Sequence, residues 1–354
     1  MAEEGTKGKE RIVWLDIVRA FAVVLIILTH FNDTLKMMSI TIAGKHYLVP
    51  SVFANGSFGT LGVSLFFLIS GAALMYTYDK ELKLSTYYWK RWKGIYPAFW
   101  ICYAGAFLYY FWKRKGIAFQ AEKWTFFLTV LGFDGYTAYR IENYYILGEW
   151  FLGCIVLMYL MFPLIRKLYH KNAYLTFVAY TLFYVVFVWF YPFEMSIVRN
   201  LFTRLLDFLF GMLIIYKGKR ENSWVLVLNL LLFVILLFYE VPLHGMYGIS
   251  LIGISCFMVL VGMSKWIKSP LFIQLCQKLG KYSYTIFLVH HVIITDVLRR
   301  FMGVELTMPE GIVLFGMVSI MIVLVSWCAF RVEKKTVGML ENLLSISKKI
   351  SEQI

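Results

Sequence analysis

The sequence predicts an all-α, polytopic membrane protein with about ten transmembrane helices and both termini in the cytoplasm. Three observations carry this. First, 60% of the 354 residues are hydrophobic and 16% charged, whereas a soluble domain is about 45–50% apolar. Second, ten apolar runs approach the roughly 17–25 residues that span a bilayer. They cover 12–31, 57–77, 95–112, 146–165, 173–191, 198–216, 223–240, 247–264, 283–299 and 311–331. Third, the basic residues divide unequally between the loops.

With the N-terminus placed inside, 23 of the 35 Lys and Arg fall in cytoplasmic segments and 9 in outer ones. Lys/Arg bias of this kind orients membrane helices. It also accounts for the net charge of +14 without nucleic acid. Arg19, Arg199 and Arg204 lie within the runs. The cysteines at 102, 154, 256, 276 and 328 form no CxxC pair, so no disulfide framework and no metal site are expected. No cleavable signal peptide is expected either, because the first apolar run is full length and no A-x-A-like site follows it. The segment 124–133 (WTFFLTVLGF) is too short to span and reads as re-entrant or interfacial. Residues 334–354 alternate leucines with lysines and read as a cytoplasmic amphipathic tail beyond a membrane domain at 1–333.

The first run, IVWLDIVRAFAVVLIILTHF, carries Asp16, Arg19 and His30. Arg19 and His30 are eleven residues apart, about three turns plus 20°, so they share one helix stripe roughly 16 Å long. Charged groups within a span are costly and usually mark function. His30 suits a general base, and Asp33, three residues on, is within helical reach to fix its tautomer. An interfacial helix cap is the alternative for His30, and an Asp16–Arg19 ion pair the alternative for Arg19.

Four other stretches hold candidates. Lys90, Arg91 and Lys93 precede Tyr96–Pro97 in an inner loop and can hold a phosphorylated donor; simple charge orientation accounts for them equally. Glu149 opens the fourth run at the outer level and either serves an acceptor hydroxyl or complements the helix dipole. His290, in the ninth run, is expected near mid-bilayer, where an ionisable group is a functional candidate. His291 is expected to point elsewhere and to serve packing or hydrogen bonding. Arg204 and Asp207 are i,i+3 neighbours, and Asp296 is expected to pair with Arg299 and Arg300.

Taken together, six stretches resemble the membrane acyltransferase-3 family across nearly the whole chain. They are Leu15-Asp16 with Arg19, ten residues and His30; Gly62-Val63-Ser64-Leu65-Phe66-Phe67-Leu68-Ile69-Ser70-Gly71; Arg91 through Pro97; Trp150-Phe151-Leu152 with Pro163; Leu279-Gly280 through Ser283-Tyr284, Leu288 and His290; and Glu333-Lys334. The resemblance implies a bacterial cytoplasmic-membrane enzyme that moves an acyl group, commonly acetyl, from cytoplasmic acyl-CoA to a hydroxyl of an extracytoplasmic glycan or polysaccharide. It implies His30 as the catalytic histidine with Arg19 its partner. Arg91 matches the first arginine of an R-x-x-R motif, and Gly94 stands where the second is expected. Lys90, Lys93 and His290 are expected to help hold the donor, and Asp33 or Glu149 to orient His30. Gly62, Ser64, Ser70 and Gly71 are expected to permit close packing beside this path. No fused esterase-like domain is expected. The rival reading is a transporter or flippase of a lipid-linked glycan, but no inverted repeat with paired broken helices is evident.

Overall fold

The computed structural model describes residues 11–116, 121–216 and 223–351. Its helices, in chain order, are α1 (Val13–Met37), α2 (Phe58–Tyr78), α3 (Leu84–Arg114), α4 (Phe126–Leu131), α5 (Asp134–Thr137) and α6 (Glu149–Trp189). There follow α7 (Leu201–Tyr216), α8 (Ser223–Phe238), α9 (Gly245–Met263), α10 (Pro270–Leu298) and α11 (Met308–Ser351). Every predicted run falls on one of these helices. Among the described residues, α1, α2, α6, α9 and α11 are long and apolar enough to cross a membrane by length and composition. The chain is an all-α, multi-pass membrane protein.

The two runs predicted at 146–165 and 173–191 lie on the two halves of α6, which is 41 residues long but broken at Asn172 (φ −161°, ψ 100°). The Asn172 side chain accepts a hydrogen bond from the Leu175 backbone N–H at 3.0 Å. This is an N-cap, so the second half starts as a new helix. In α7 and α8, 16 residues each are helical; Lys217, Lys219 and Arg220, the basic residues predicted between them, lie outside the described residues, as do Lys7 and Lys9. The predicted tail continues α11 without a break to Ser351, and its last residues, 352–354, are likewise outside.

Burial ranks the helices. In α1, 16 of 25 residues are buried, and the helix is enclosed by α2, α9 and α10. At the other extreme, α8 buries Leu236 and turns Trp224, Leu228, Leu231 and Ile235 outward. In lipid such faces need no protein partner, since the solvent is itself apolar. The segment 124–133 folds as a 3-10 turn through Trp124 followed by the six-residue α4, with Trp124, Phe126 and Phe127 exposed.

Contact between α2 and α7 depends on glycine. A Cβ at Gly71 would overlap the Phe208 carbonyl, and one at Gly211 would overlap the Leu68 carbonyl. Backbones this close are the small-residue packing of membrane helices. A buried ion pair within α7 lies at the same seam and is tied across it to Ser64 of α2. Arg204 and Asp207 are fully buried with N and O 3.6 Å apart. Arg204 donates to Ser64 Oγ at 3.0 Å and to the Val198 carbonyl at 2.7 Å.

Two-residue strands fasten one end of the bundle. β1 (Thr41–Ile42) pairs in parallel with β4 (Glu305–Leu306), while β2 (Val52–Phe53) and β3 (Gly56–Ser57) form an antiparallel pair before α2. Asp296 pairs with Lys113 and Tyr109 of α3, not with Arg299 and Arg300. The two arginines lie in the 3-10 turn that follows α10, whereas the α3 terminus lies alongside Asp296.

Replacing Gly71 or Gly211 with Val is expected to destabilise the fold by at least the roughly 1–3 kcal/mol typical of overpacking. Gly316→Ala, where a Cβ meets nothing within 4 Å, is expected to be neutral. Thermal unfolding of the purified variants in detergent measures the difference.

Candidate active site

The stripe on α1 meets two sets of neighbours, one at each end. At the His30 end, α10 brings both His290 and His291 against the His30 ring, with centroid separations of 4.9 and 4.2 Å. His291 therefore faces the site, contrary to its expected direction, while its polar contact with Glu149 agrees with one of its two expected roles. His30 lies over the α10 backbone between two consecutive positions, so side chains 100° apart both reach it. His290 also lies level with His30 rather than deeper. His30 is seven residues from the end of α1 and His290 eight from the end of α10.

Hydrogen bonds fix the rings. His290 Nδ1 lies 2.7 Å from the Phe287 carbonyl. A carbonyl only accepts, so Nδ1 carries the proton and Nε2 keeps its lone pair. That Nε2 is buried and has no hydrogen-bond partner among the described residues. His291 Nε2 is 3.3 Å from Glu149 Oε1, and Tyr145 donates its hydroxyl to the same oxygen at 2.9 Å. Glu149 thus joins the histidines through His291. Asp33 is exposed, and no hydrogen bond links it to His30 among the described residues.

The backbone at Glu149 is strained. Gly148 has φ +104° and Glu149 itself φ +36°, a left-handed region that favours glycine and costs a non-glycine residue about 1–3 kcal/mol. The conformation is held from the adjacent loop. A Cβ at Gly135 of α5 would overlap the Glu149 backbone, so α5 presses directly on the start of α6. Asp134, beside it, is buried; its Oδ1 accepts from Thr129 Oγ1 at 3.0 Å, and its Oδ2 has no partner among the described residues. Burial pushes the Asp134 carboxyl up to about 6. Asn32 of α1 fastens the other loop, donating to the Val49 carbonyl and Ser51 Oγ and accepting from the Leu48 N–H.

At the opposite end of the stripe, Arg19 lies 3.6 Å from Asp16 Oδ1, and Arg11 donates to Asp16 Oδ2 at 2.6 Å. The predicted ion pair exists, but Arg19 also reaches a cavity of about 220 Å³. Arg91, Gly94 and Tyr159 share its wall with Ser70 and Ser283. The Arg91 guanidinium packs between the rings of Tyr78 and Tyr159, 6.0 and 5.6 Å from their centroids. A Cβ at Gly94 would meet nothing within 4 Å, so this position provides room where an arginine was expected. Lys90 is exposed, and Lys93 pairs with Glu341 of α11; neither lines the cavity. Phe66, Phe151 and Phe287 also line the cavity, with Ile26 of α1, one turn before His30. Phe151 and Phe287 are 5.2 Å apart, and Phe287 is 6.1 Å from His290.

Sequence reasoning missed His291, Tyr145 and the Asp134–Gly135 support. The first was hidden by the wrong choice of helix face; the others belong to loops with no period to read.

The family described as an acyltransferase domain matches residues 12–331, which include Arg19, Arg91, Glu149 and the three clustered histidines. Neither a curated protein nor a solved structure matches the chain.

For Asp134 the folded chain holds the proton more tightly than the unfolded chain does. Its contribution to stability is complete below the ordinary carboxylate range and is lost as pH rises through about 6. Asp134→Asn is expected to flatten this part of the pH–stability curve and to raise the unfolding midpoint at pH above 7 relative to the unaltered chain. Thermal unfolding across pH 4–8 measures it.

Proposed function

This chain belongs to the membrane acyltransferase-3 family, and we propose that it moves an acetyl group from cytoplasmic acetyl-CoA to a hydroxyl of an extracytoplasmic glycan or cell-surface polysaccharide. In this reading the chain crosses a bacterial cytoplasmic membrane ten times. Both termini are inside, the Arg19 end faces the cytoplasm and the His30 end faces out. The observation that carries the proposal is the placement of Arg19 and Arg91 on one cavity wall, while the histidines gather at the other end of the α1 stripe.

The two arginines suit the phosphates of the donor. Guanidinium groups bind such oxygens by bidentate, charge-assisted bonds, and the Arg91 Nε is buried without a partner among the described residues. The opening left by Gly94 admits the nucleotide portion between them. From there the thioester arm runs toward Phe151 and Phe287, which must turn aside for the acyl group to reach His30. Aromatic side chains at this boundary also keep water from the thioester between turnovers.

At the outer end, His30 acts as general base on the acceptor hydroxyl. The hydroxyl oxygen attacks the thioester carbonyl, the C–S bond breaks, and the coenzyme A thiolate leaves toward the cavity. His290, whose Nδ1 proton is held by the Phe287 carbonyl, presents a lone pair that accepts from the acceptor's second hydroxyl. Glu149 holds His291 beside His30 and steadies the charge that develops as His30 takes the proton. Asp33 has no part in this arrangement.

Two variants test the assignment in membranes supplied with labelled acetyl-CoA and the host's surface glycans. His30→Ala is expected to lower transfer by about 10²–10⁴, the usual weight of a general base, without loss of folded protein. Arg91→Ala is expected to raise the KM for acetyl-CoA several-fold while kcat changes less. Full transfer by a folded His30→Ala protein contradicts the assignment.

A further inference from the structure

We propose that His30, His290 and His291 form a divalent transition-metal site, with Zn²⁺ as its preferred ion, and that the ion inhibits the protein by occupying the lone pair of its base. The three side chains each offer one ligand nitrogen, and these atoms lie within 4.8 Å of one another. Tetrahedral zinc, bound at about 2.0–2.1 Å, draws its ligand nitrogens to about 3.4 Å apart. Small rotations of side chains, with no movement of backbone, supply the difference.

Two further observations point to a metal rather than to packing alone. Metal-bound histidines donate their second ring N–H to a carbonyl or carboxylate, which fixes the tautomer and aims the other nitrogen at the ion. His290 does this with the Phe287 carbonyl at 2.7 Å, and the Glu149 carboxylate lies 3.3 Å from His291 Nε2, in ion-pair range of the second ring. In addition, His290 Nε2 is fully buried, keeps its lone pair and meets no hydrogen-bond donor among the described residues. A buried acceptor of this kind is costly unless a partner meets it. His30 and His291 are half-buried, which leaves a way in for an ion from that end. An all-imidazole set suits zinc and its first-row neighbours better than magnesium or calcium, which take oxygen ligands. The site is hidden in the sequence because one ligand comes from α1 and two from α10.

The inhibitory role rests on the reading of His30 as a base; the metal site itself does not. The test therefore begins with binding. The full chain in detergent, stripped with a chelator, is titrated with Co²⁺ alone and then Zn²⁺ alone. One Co²⁺ per chain is expected, with the intense visible absorption of a tetrahedral site, displaced by one equivalent of Zn²⁺. His290→Gln and His291→Gln are each expected to abolish this signal, and Glu149→Gln to weaken Zn²⁺ about 10–100-fold, the usual effect of losing an outer-shell partner. No stoichiometric Co²⁺ or Zn²⁺ binding by the unaltered chain overturns the site, and so does binding that both histidine variants retain. Should a variant fail to fold, the titration of the unaltered chain decides. In the transfer assay, loading with Zn²⁺ is expected to reduce turnover at least tenfold, reversibly with chelator. Unchanged turnover of the loaded protein overturns the inhibitory role while leaving the site, and loss of the transfer activity altogether leaves the binding result standing.

Discussion

Lipid offers no hydrogen bonds, so a polar side chain on a membrane helix must find its partner within the protein. Helix α1 is mostly buried, and Asp16, Arg19 and His30 are among its polar groups. The rest of the molecule answers that constraint. Arg11 and Arg19 share Asp16, α10 supplies two imidazoles to His30, and α3 brings Arg91 to the cavity that Arg19 enters. The close α2–α7 seam at Gly71 and Gly211 completes the layer on the other side of α1. Helices such as α8, with apolar residues all round, lie at the periphery, where packing demands little.

Between the two polar ends stands an aromatic layer of Phe66, Phe151 and Phe287. It divides the α1 stripe into a basic half and an imidazole half. Two of these rings are tied in sequence to the outer site: Phe151 follows Glu149 by two positions, and Phe287 precedes His290 by three. The left-handed Glu149 sits at this junction, pinned by α5 and bonded to Tyr145 and His291. Strain persists where surrounding structure fixes it, and here that structure is a loop resting on the end of a helix.

Much of this was legible in the sequence, and the reasons are physical. Apolar runs of bilayer length mark the helices because lipid selects for length and polarity at once. Even the break at Asn172 fell between two predicted runs. The Asp16–Arg19 and Arg204–Asp207 pairs follow from i,i+3 geometry alone. Contacts between distant segments were not legible. His291 was directed away from the site because adjacent helix positions diverge by 100°, yet the His30 ring centroid lies 4.9 and 4.2 Å from those of His290 and His291. Asp296 chose Lys113 of α3 over its own neighbours, and Lys93 turned to Glu341 instead of the cavity. Spacing left Asp33 and Glu149 both open; Asp33 is exposed, and Glu149, from another helix, lies 3.3 Å from His291.

In the proposed reaction, one helix stripe connects a donor on one side of the membrane to an acceptor on the other. Sealed vesicles of known orientation, holding the purified protein, test it directly. Labelled acetyl-CoA is supplied only to the face bearing Arg91, and a glycan acceptor is enclosed only on the face bearing His30. The account predicts that label accumulates on the enclosed glycan while coenzyme A is released on the donor side. Label found only on acceptors placed on the same side as acetyl-CoA would contradict it.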